Sequence, residues 1–395
     1  MKIARKILWL GKLTASALRT PAKEIWQNNA PSDVDAGKGI QPLMHRPYDS
    51  IEAEPGTSAG EKCEDAGIIG RIRRAYLKSC EAEPIKASAV WRTISNAQSA
   101  LHQTLIGGDS EQLARLLRRP GDTNLFLGID NLVADSVENF RRNPAMAMGH
   151  AKLCQDHLVR LAEVLGALRF ENPVSPRQTQ FQKKADELLA LIEEVIGHRI
   201  EFPNPYPDES GIRTASGIAS YRTFHAVYQA NRIKELLSGL PNPRVLEIGG
   251  GLGRTAYYAR QFGVRSYAIV DLPFTAVSQA YFLMRTLGEN CVQLDNEVFA
   301  DSADRVRLMR PTSFLQGSEH YDIIINVDSI TEMNRKTAEK YFQKIQESTT
   351  VFLSINHEAN EFTARELMDS STRTVRKHRY PYGMRRGYVE ELAYF

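Results

Sequence analysis

Four glycines within five positions, Gly249, Gly250, Gly251 and Gly253, constrain this chain more than any other feature. They follow directly on Val245 to Ile248, a short apolar run of the kind a buried parallel strand shows. Glycine lets the backbone turn tightly and approach a ligand, and a helix opening at about Leu252 points free amide groups at whatever sits there. Gly263 closes that helix, and Ser266 to Val270 supply a second strand. Asp271 ends it, where a carboxylate accepts both hydroxyls of a ribose. A glycine cluster after a strand can be only a tight turn. The acids at both ends of this stretch favour a site for a nucleoside-bearing cofactor.

The spacing narrows the choice. A dinucleotide site reads G-x-G-x-x-G, its third glycine packing helix on strand under a pyrophosphate. Here the pattern is E-x-G-x-G-x-G through Glu247, Gly249, Gly251 and Gly253, and the third dinucleotide position falls on Arg254. A long basic side chain at a close-packed point argues against a nicotinamide cofactor. No G-x-x-x-x-G-K-[ST] occurs, which excludes a P-loop. An acid inside the strand end suits a cofactor whose amino-acid tail carries an ammonium. The stretch resembles motif I of the class I S-adenosylmethionine-dependent methyltransferases, with Glu247 opening it and Asp271 as the ribose acid.

At 395 residues the chain is long for one average domain, and two folded regions are expected. Fifty Lys and Arg against 47 Asp and Glu leave +3, which does not call for nucleic acid as a partner. Cys63, Cys80, Cys154 and Cys291 lie far apart, so neither a C-x-x-C zinc site nor a disulfide framework is indicated, and a cytoplasmic compartment fits. Residues 1–26 read as a basic amphipathic helix, with Ile3, Ile7 and Leu10 along one side and Arg5, Lys12 and Arg19 along another. Such a helix suits peripheral contact with an anionic membrane face; a helix docked on the protein or a frayed tail competes with that reading. Residues 27–67, rich in Pro, Gly, Ser and acids, read as a flexible linker. Residues 68–200 carry helical patterning and are expected to form a helical domain that packs on, walls off or dimerises the rest. His150 and His157, seven apart on one helix, lack a third ligand and read as surface histidines.

From 201 onward the pattern alternates. Phe202 to Tyr221 reads as a Pro, Gly and Ser-rich loop ahead of a helix, and Arg213, Arg222 and His225 from this part are candidate acceptor contacts. Pro273 to Leu287 is helical, Arg305 to Met309 a weak strand, Tyr321 to Val327 a strong one, and Thr349 to Ile355 the next. The expectation is an α/β, Rossmann-like class I methyltransferase fold over 201–395. Its sheet is mixed, mainly parallel and seven-stranded, with helices on both faces, and an α-helical region precedes it. Ligands in such sheets collect outside the carboxyl ends of the strands. Gly249, Asp271, Asp328 and His357 would therefore share one rim.

An alcohol is a poor methyl acceptor until a base takes its proton, and a positioned base gives about 10²- to 10⁴-fold. His357 is the first candidate base, because imidazole titrates near neutrality, with Asp328 and Glu332 orienting it or binding hydroxyls. A divalent cation held by Asp328, Glu332 or Glu358 is the second possibility, although no metal is expected. The tail, HRYPYGMRRGYVEELAYF, places Tyr380, Tyr382 and Tyr388 among Arg379, Arg385 and Arg386, which suits sugar rings and anionic groups or plain packing of a terminal hairpin.

The blocks VLEIGGGLGRTAYYARQFGVRSYAIVDLP, INVDSITEMN, LSINHEAN and YPYGMRRGYVEEL together are similar to the sugar O-methyltransferase family of bacterial surface-polysaccharide genes, over roughly residues 200–395. The resemblance implies methylation of a sugar or glycan hydroxyl with S-adenosyl-L-methionine. It implies cofactor contacts at Glu247, Gly249, Gly251 and Asp271, joined here by Gly250, Gly253, Leu272 and Asn326. It places Asp328, Glu332 and His357 on the catalytic side, with Glu358, Tyr382 and Arg385 toward the acceptor. Gly383 stands where that family's tail usually carries an aromatic residue. A scaffold that keeps the fold without catalysis, a nicotinamide oxidoreductase and a methyltransferase for a non-sugar small molecule are the rival readings.

Overall fold

The structure, a computed structural model, describes residues 53–59, 65–82, 99–170, 183–295, 297–299 and 304–395. The amphipathic segment 1–26, most of the expected linker and Cys63 lie outside these residues. No helix among the described residues is long and apolar enough to cross a membrane.

In chain order the elements are β1 (Pro55–Ala59), α1 (Ala66–Ala82), α2 (Ser99–Gly107), α3 (Ser110–Arg118), α4 (Ala134–Arg142), α5 (Pro144–Val164) and α6 (Ala185–Ile196). There follow β2 (Pro207–Thr214), β3 (Gly217–Ala219), α7 (Tyr221–Leu236), β4 (Arg244–Ile248), α8 (Arg254–Gln261), β5 (Ser266–Val270) and α9 (Pro273–Leu287). The remainder is β6 (Val292–Leu294), β7 (Val306–Met309), α10 (Pro311–Gln316), β8 (Ile323–Val327), α11 (Arg335–Ser348), β9 (Val351–His357), α12 (Ala364–Asp369), β10 (Arg376–Pro381) and β11 (Tyr388–Tyr394).

These divide into two compact units. One holds β1, α4 to α6, the β2–β3 hairpin and the first residues of α7; the other holds α1 to α3, the rest of α7 and everything after it. The division cuts the expected helical domain 68–200 in two. Its first half belongs to the sheet's unit because Asp65, buried before α1, accepts hydrogen bonds from Arg118 Nε at 3.0 Å and from Tyr281 Oη of α9 at 2.7 Å. The expected loop Phe202–Tyr221 contains the hairpin instead: Ile212 and Ala219 pair across it and are buried. His157 is likewise not a surface residue. It is 7 % exposed and its Nδ1 lies 2.8 Å from Leu153 O, one helical turn back.

The large sheet runs in the order β10-β11-β9-β8-β4-β5-β7-β6. Strands β9 to β6 are all parallel to their neighbours, whereas β11 lies antiparallel between β9 and β10. This is the mixed, mainly parallel sheet the alternation predicts, with one addition. Three-residue β6 extends the β7 edge and makes eight strands, too short a run to announce itself in sequence. On one face Leu246, Ile248, Ile324 and Phe352 pack with Phe342 and Ile345 of α11 and Met368 of α12. The order reverses at β4, between β5 on one side and β8 on the other, and that switch point is where such sheets bind ligands.

A candidate cofactor cleft and catalytic rim

The glycine turn is built by contact as much as by conformation. Gly249 has φ +77°, and a β-carbon there would lie 2.2 Å from Ser329 Oγ. Ser329 is held in place because its hydroxyl and Asn326 Nδ2 both donate to Ile248 O at 2.9 Å, capping the end of β4. Gly253, at φ +87°, is the N-cap of α8, so the helix starts two residues later than Leu252. Asn326 was expected among the cofactor contacts. It is instead fully buried, its amide spent on Ile248 O and its carbonyl accepting from Asn356 Nδ2 at 2.9 Å and Ile330 N at 3.2 Å, a lock between β4, β8 and β9.

Glu247 lies beneath the turn, 2 % exposed, with Tyr267 Oη donating to it at 2.9 Å. Burial pushes its carboxyl up to about 7, outweighing the Tyr267 hydrogen bond, and the nearby Asp271 adds to the rise. Asp271, at the end of β5, accepts from Leu272 N at 2.8 Å and Gln279 Nε2 at 2.7 Å. Burial raises it as well, to about 6. It borders a cleft of about 400 Å³, open mouth included, whose other walls include Tyr76, Pro273, Asp295, Met309 and Arg310.

Sequence reasoning missed a strap across the turn. Ile129 O comes within 3.6 Å of a β-carbon built on Gly251, and Asp130 Oδ2 accepts from Arg254 Nε at 3.0 Å in a pair that is almost fully buried. Arg254 also lies 5.3 Å over the Phe282 ring. The residue that argued against a dinucleotide is thus the anchor for the segment 129–131. Only the pairing of a lone basic residue at the turn with a distant acid could have signalled it.

On the other side of the switch point, Asp328 follows β8 with φ +53° and its N–H donates to Ile355 O of β9. His357 ends β9, and Tyr388 opens β11 directly opposite it in register. Tyr388 Oη donates to Asp328 Oδ2 at 2.7 Å, while His357 Nε2 stands 3.6 Å from Asp328 Oδ1. Burial, and then the Asp328 charge, raise Tyr388 well above the ordinary phenol range, so its proton stays on. Ala359 N donates to His357 Nδ1 at 3.2 Å. That bond places the neutral ring's proton on Nε2, facing Asp328, and the lone pair on Nδ1. Tyr388 received no role from the sequence beyond the tail's composition.

Glu332 joins this rim: ligand atoms of Asp328, Glu332 and His357 all lie within 4.8 Å of one another. Glu358 does not, because Arg379 holds both its oxygens at 2.7 Å on the exposed edge. Tyr382 is buried edge-on to His225 at 5.8 Å and receives Gln229 Nε2 at 3.4 Å, so both rings line the interior behind the rim. Arg385 lies 4.3 Å over the Tyr388 ring and 3.9 Å from Asp328 Oδ2. Arg213 and Arg222 belong to the other unit, where Arg213 lies 3.7 Å from Glu54 and Arg222 5.7 Å over Tyr221.

The chain matches no protein-family model and no curated protein. Among solved structures it is similar to magnesium protoporphyrin IX methyltransferase from Synechocystis PCC 6803 with bound SAM, at 13% identity over 43% of this chain and 80% of that one, TM-score 0.32. It is similar also to the glycopeptide N-methyltransferase MtfA with S-adenosyl-L-homocysteine, at 16% identity over 43% and 90%, TM-score 0.32. The methyltransferase domain of bacterial CtHen1 gives 8% identity over 43% and 98%, TM-score 0.33. The strand order and the glycine turn make the larger unit an α/β fold with a mainly parallel, Rossmann-like sheet.

Proposed function

We propose that the chain is an S-adenosylmethionine-dependent O-methyltransferase whose acceptor is a sugar hydroxyl. The observation that carries this reading is the pairing of the glycine turn and Asp271, which also borders a cleft lined from α1, α9 and β7, with the Tyr388, Asp328 and His357 cluster at the neighbouring strand ends. Gly249, Gly250, Gly251 and Gly253 supply the close approach, Asp271 and Leu272 the ribose end, and Ile129 to Asn131 the cover. Glu247 serves from beneath, as a buried support for the turn. When bound, the cofactor supplies a methyl group on a positive sulfonium, which leaves without needing an acid.

The residues on the rim meet the remaining need, a base for the hydroxyl. Asp328 Oδ1 faces His357 Nε2 from 3.6 Å without a hydrogen bond, and Nδ1 is the basic nitrogen. In the ligand-free chain the Ala359 amide occupies it, and the acceptor hydroxyl would take that place. The 3.6 Å gap between Nε2 and Oδ1 is of the length that closes when an acceptor binds. Tyr388 fixes the far oxygen of the carboxylate. Aromatic rings beside arginine at the rim suit a sugar face, and the sugar blocks of the sequence point the same way.

The test is S-adenosylhomocysteine release from the full chain with a panel of sugars in the presence of EDTA. His357→Ala and Asp328→Asn are expected to lower kcat by about 10²- to 10⁴-fold while leaving cofactor affinity unchanged. Activity that survives both substitutions, or that requires magnesium, contradicts the base assignment.

A further inference from the structure

Residues 370–389 carry six cations, Arg373, Arg376, Lys377, Arg379, Arg385 and Arg386, and no carboxylate. In a chain of nearly balanced charge this is a local excess, and the structure sorts it. Lys377 is engaged by Asp369, and Arg379 by Glu358 and Glu391. Arg376 opens β10 at its far end, six residues from the turn that joins it to β11, and Arg373 precedes the strand. Arg385 and Arg386 remain, and both belong to that turn.

The turn is anchored. Tyr382 and Met384 are buried at 4 % and 0 % exposure, Tyr382 N donates to Tyr388 O at 3.0 Å, and Arg385 N donates to Tyr382 O at 3.2 Å. Arg385 and Arg386 therefore stand on the outside of a fixed loop. The Arg385 guanidinium is stacked on Tyr388, the ring that bonds Asp328, yet at 3.9 Å from that carboxylate it makes no hydrogen bond. Its side chain is 46 % exposed and its fork is open. Arg386 forms no ion pair among the described residues. An arginine kept only for solvation has no reason to lie on the ring beside the base. An arginine kept only to balance Asp328 would close on it.

We propose that the turn Tyr382–Gly387 is an acceptor-recognition site that reads an anionic group, a carboxylate or a phosphate on the acceptor, through Arg385 with Arg386 beside it. The planar fork matches either anion by paired hydrogen bonds, and the stacking on Tyr388 removes rotamer freedom before the ligand arrives. This assignment of substrate class rests on delivery of the acceptor hydroxyl to His357, but anion binding can be measured without turnover.

The experiment is titration calorimetry of the full chain, alone and saturated with S-adenosylhomocysteine, with glucuronate, glucose 6-phosphate and methyl glucoside as probes. The expected result is binding of at least one anionic sugar about tenfold or more tighter than the neutral one, weakening with salt. The ranking of the two anions tells carboxylate from phosphate. Arg385→Gln is expected to lose the preference while keeping the melting temperature and the S-adenosylhomocysteine affinity. Arg385→Lys, which keeps the charge without the fork, is expected to fall between. Equal binding of charged and neutral sugars, no binding of any of the three, or an Arg385→Gln protein that still prefers anions would overturn the proposal. Anion preference without S-adenosylhomocysteine binding would sink the methyltransferase reading alone.

Discussion

At the scale of single residues, Gly249 is the most constrained position. Its φ of +77° and the 2.2 Å approach to Ser329 Oγ forbid a β-carbon on two independent grounds. Gly249→Ala is expected to destabilise the chain by about 1–3 kcal/mol and to abolish S-adenosylhomocysteine binding, because relief requires moving the Ser329 hydroxyl off the end of β4. Gly251→Ala, with 3.6 Å of room to Ile129 O, should cost less in both readouts under thermal melts and calorimetry. Glu247 gives a pH signature. Its folded carboxyl lies near 7 against an ordinary 4.5, so between those values the folded chain holds more protons than the unfolded one. Stability from this group is present below about 4.5 and is lost as pH rises through 7. Asp271, near 6, acts with the same sign. The ligand-free protein should therefore melt at a lower temperature at pH 8 than at pH 5, and Glu247→Gln should flatten that slope. A melting temperature that rises over the same interval in the wild type would contradict the burial argument.

At the scale of elements, the strands that carry the rim were legible because buried parallel strands are short apolar runs ended by glycine or acid. Tyr321 to Val327 overruns β8 by two residues at its start, and Thr349 to Ile355 is offset from β9 by two residues at each end. The Pro, Gly and Ser-rich stretch was not legible, since its composition matches a loop while its pairing partners, Ile212 with Ala219, are set by tertiary burial. The part Asn326 plays in locking the strands was not legible for a related reason. A polar residue at a strand end looks the same in sequence whether it faces the cleft or locks three strands from within. The strap was invisible because Asp130 and Arg254 are 124 residues apart. Losing one partner of a buried ion pair is costly, about 3–5 kcal/mol. Asp130→Asn, which keeps an acceptor, should fold with a modestly lowered melting temperature and bind S-adenosylhomocysteine about tenfold more weakly. Unchanged affinity would mean that segment 129–131 does not cover the cofactor.

At the scale of the whole molecule, one sheet edge does two jobs. Antiparallel β11 continues the sheet from β9 to the edge strand β10, and its first residue, Tyr388, delivers a hydroxyl to Asp328 and a ring to Arg385. The helices α1 to α3 are part of this unit rather than a separate domain, tied down through Asp65 and extended over the glycine turn by the strap. All of this depends on the glycine turn and Asp271 taking the adenosyl cofactor. Calorimetric titration of S-adenosylhomocysteine into the full chain tests it most directly. The expected result is one site per chain with micromolar or tighter affinity, reduced at least tenfold by Asp271→Ala with the melting temperature of the free protein preserved. Absence of binding to the wild type, or equal binding to Asp271→Ala, would contradict it.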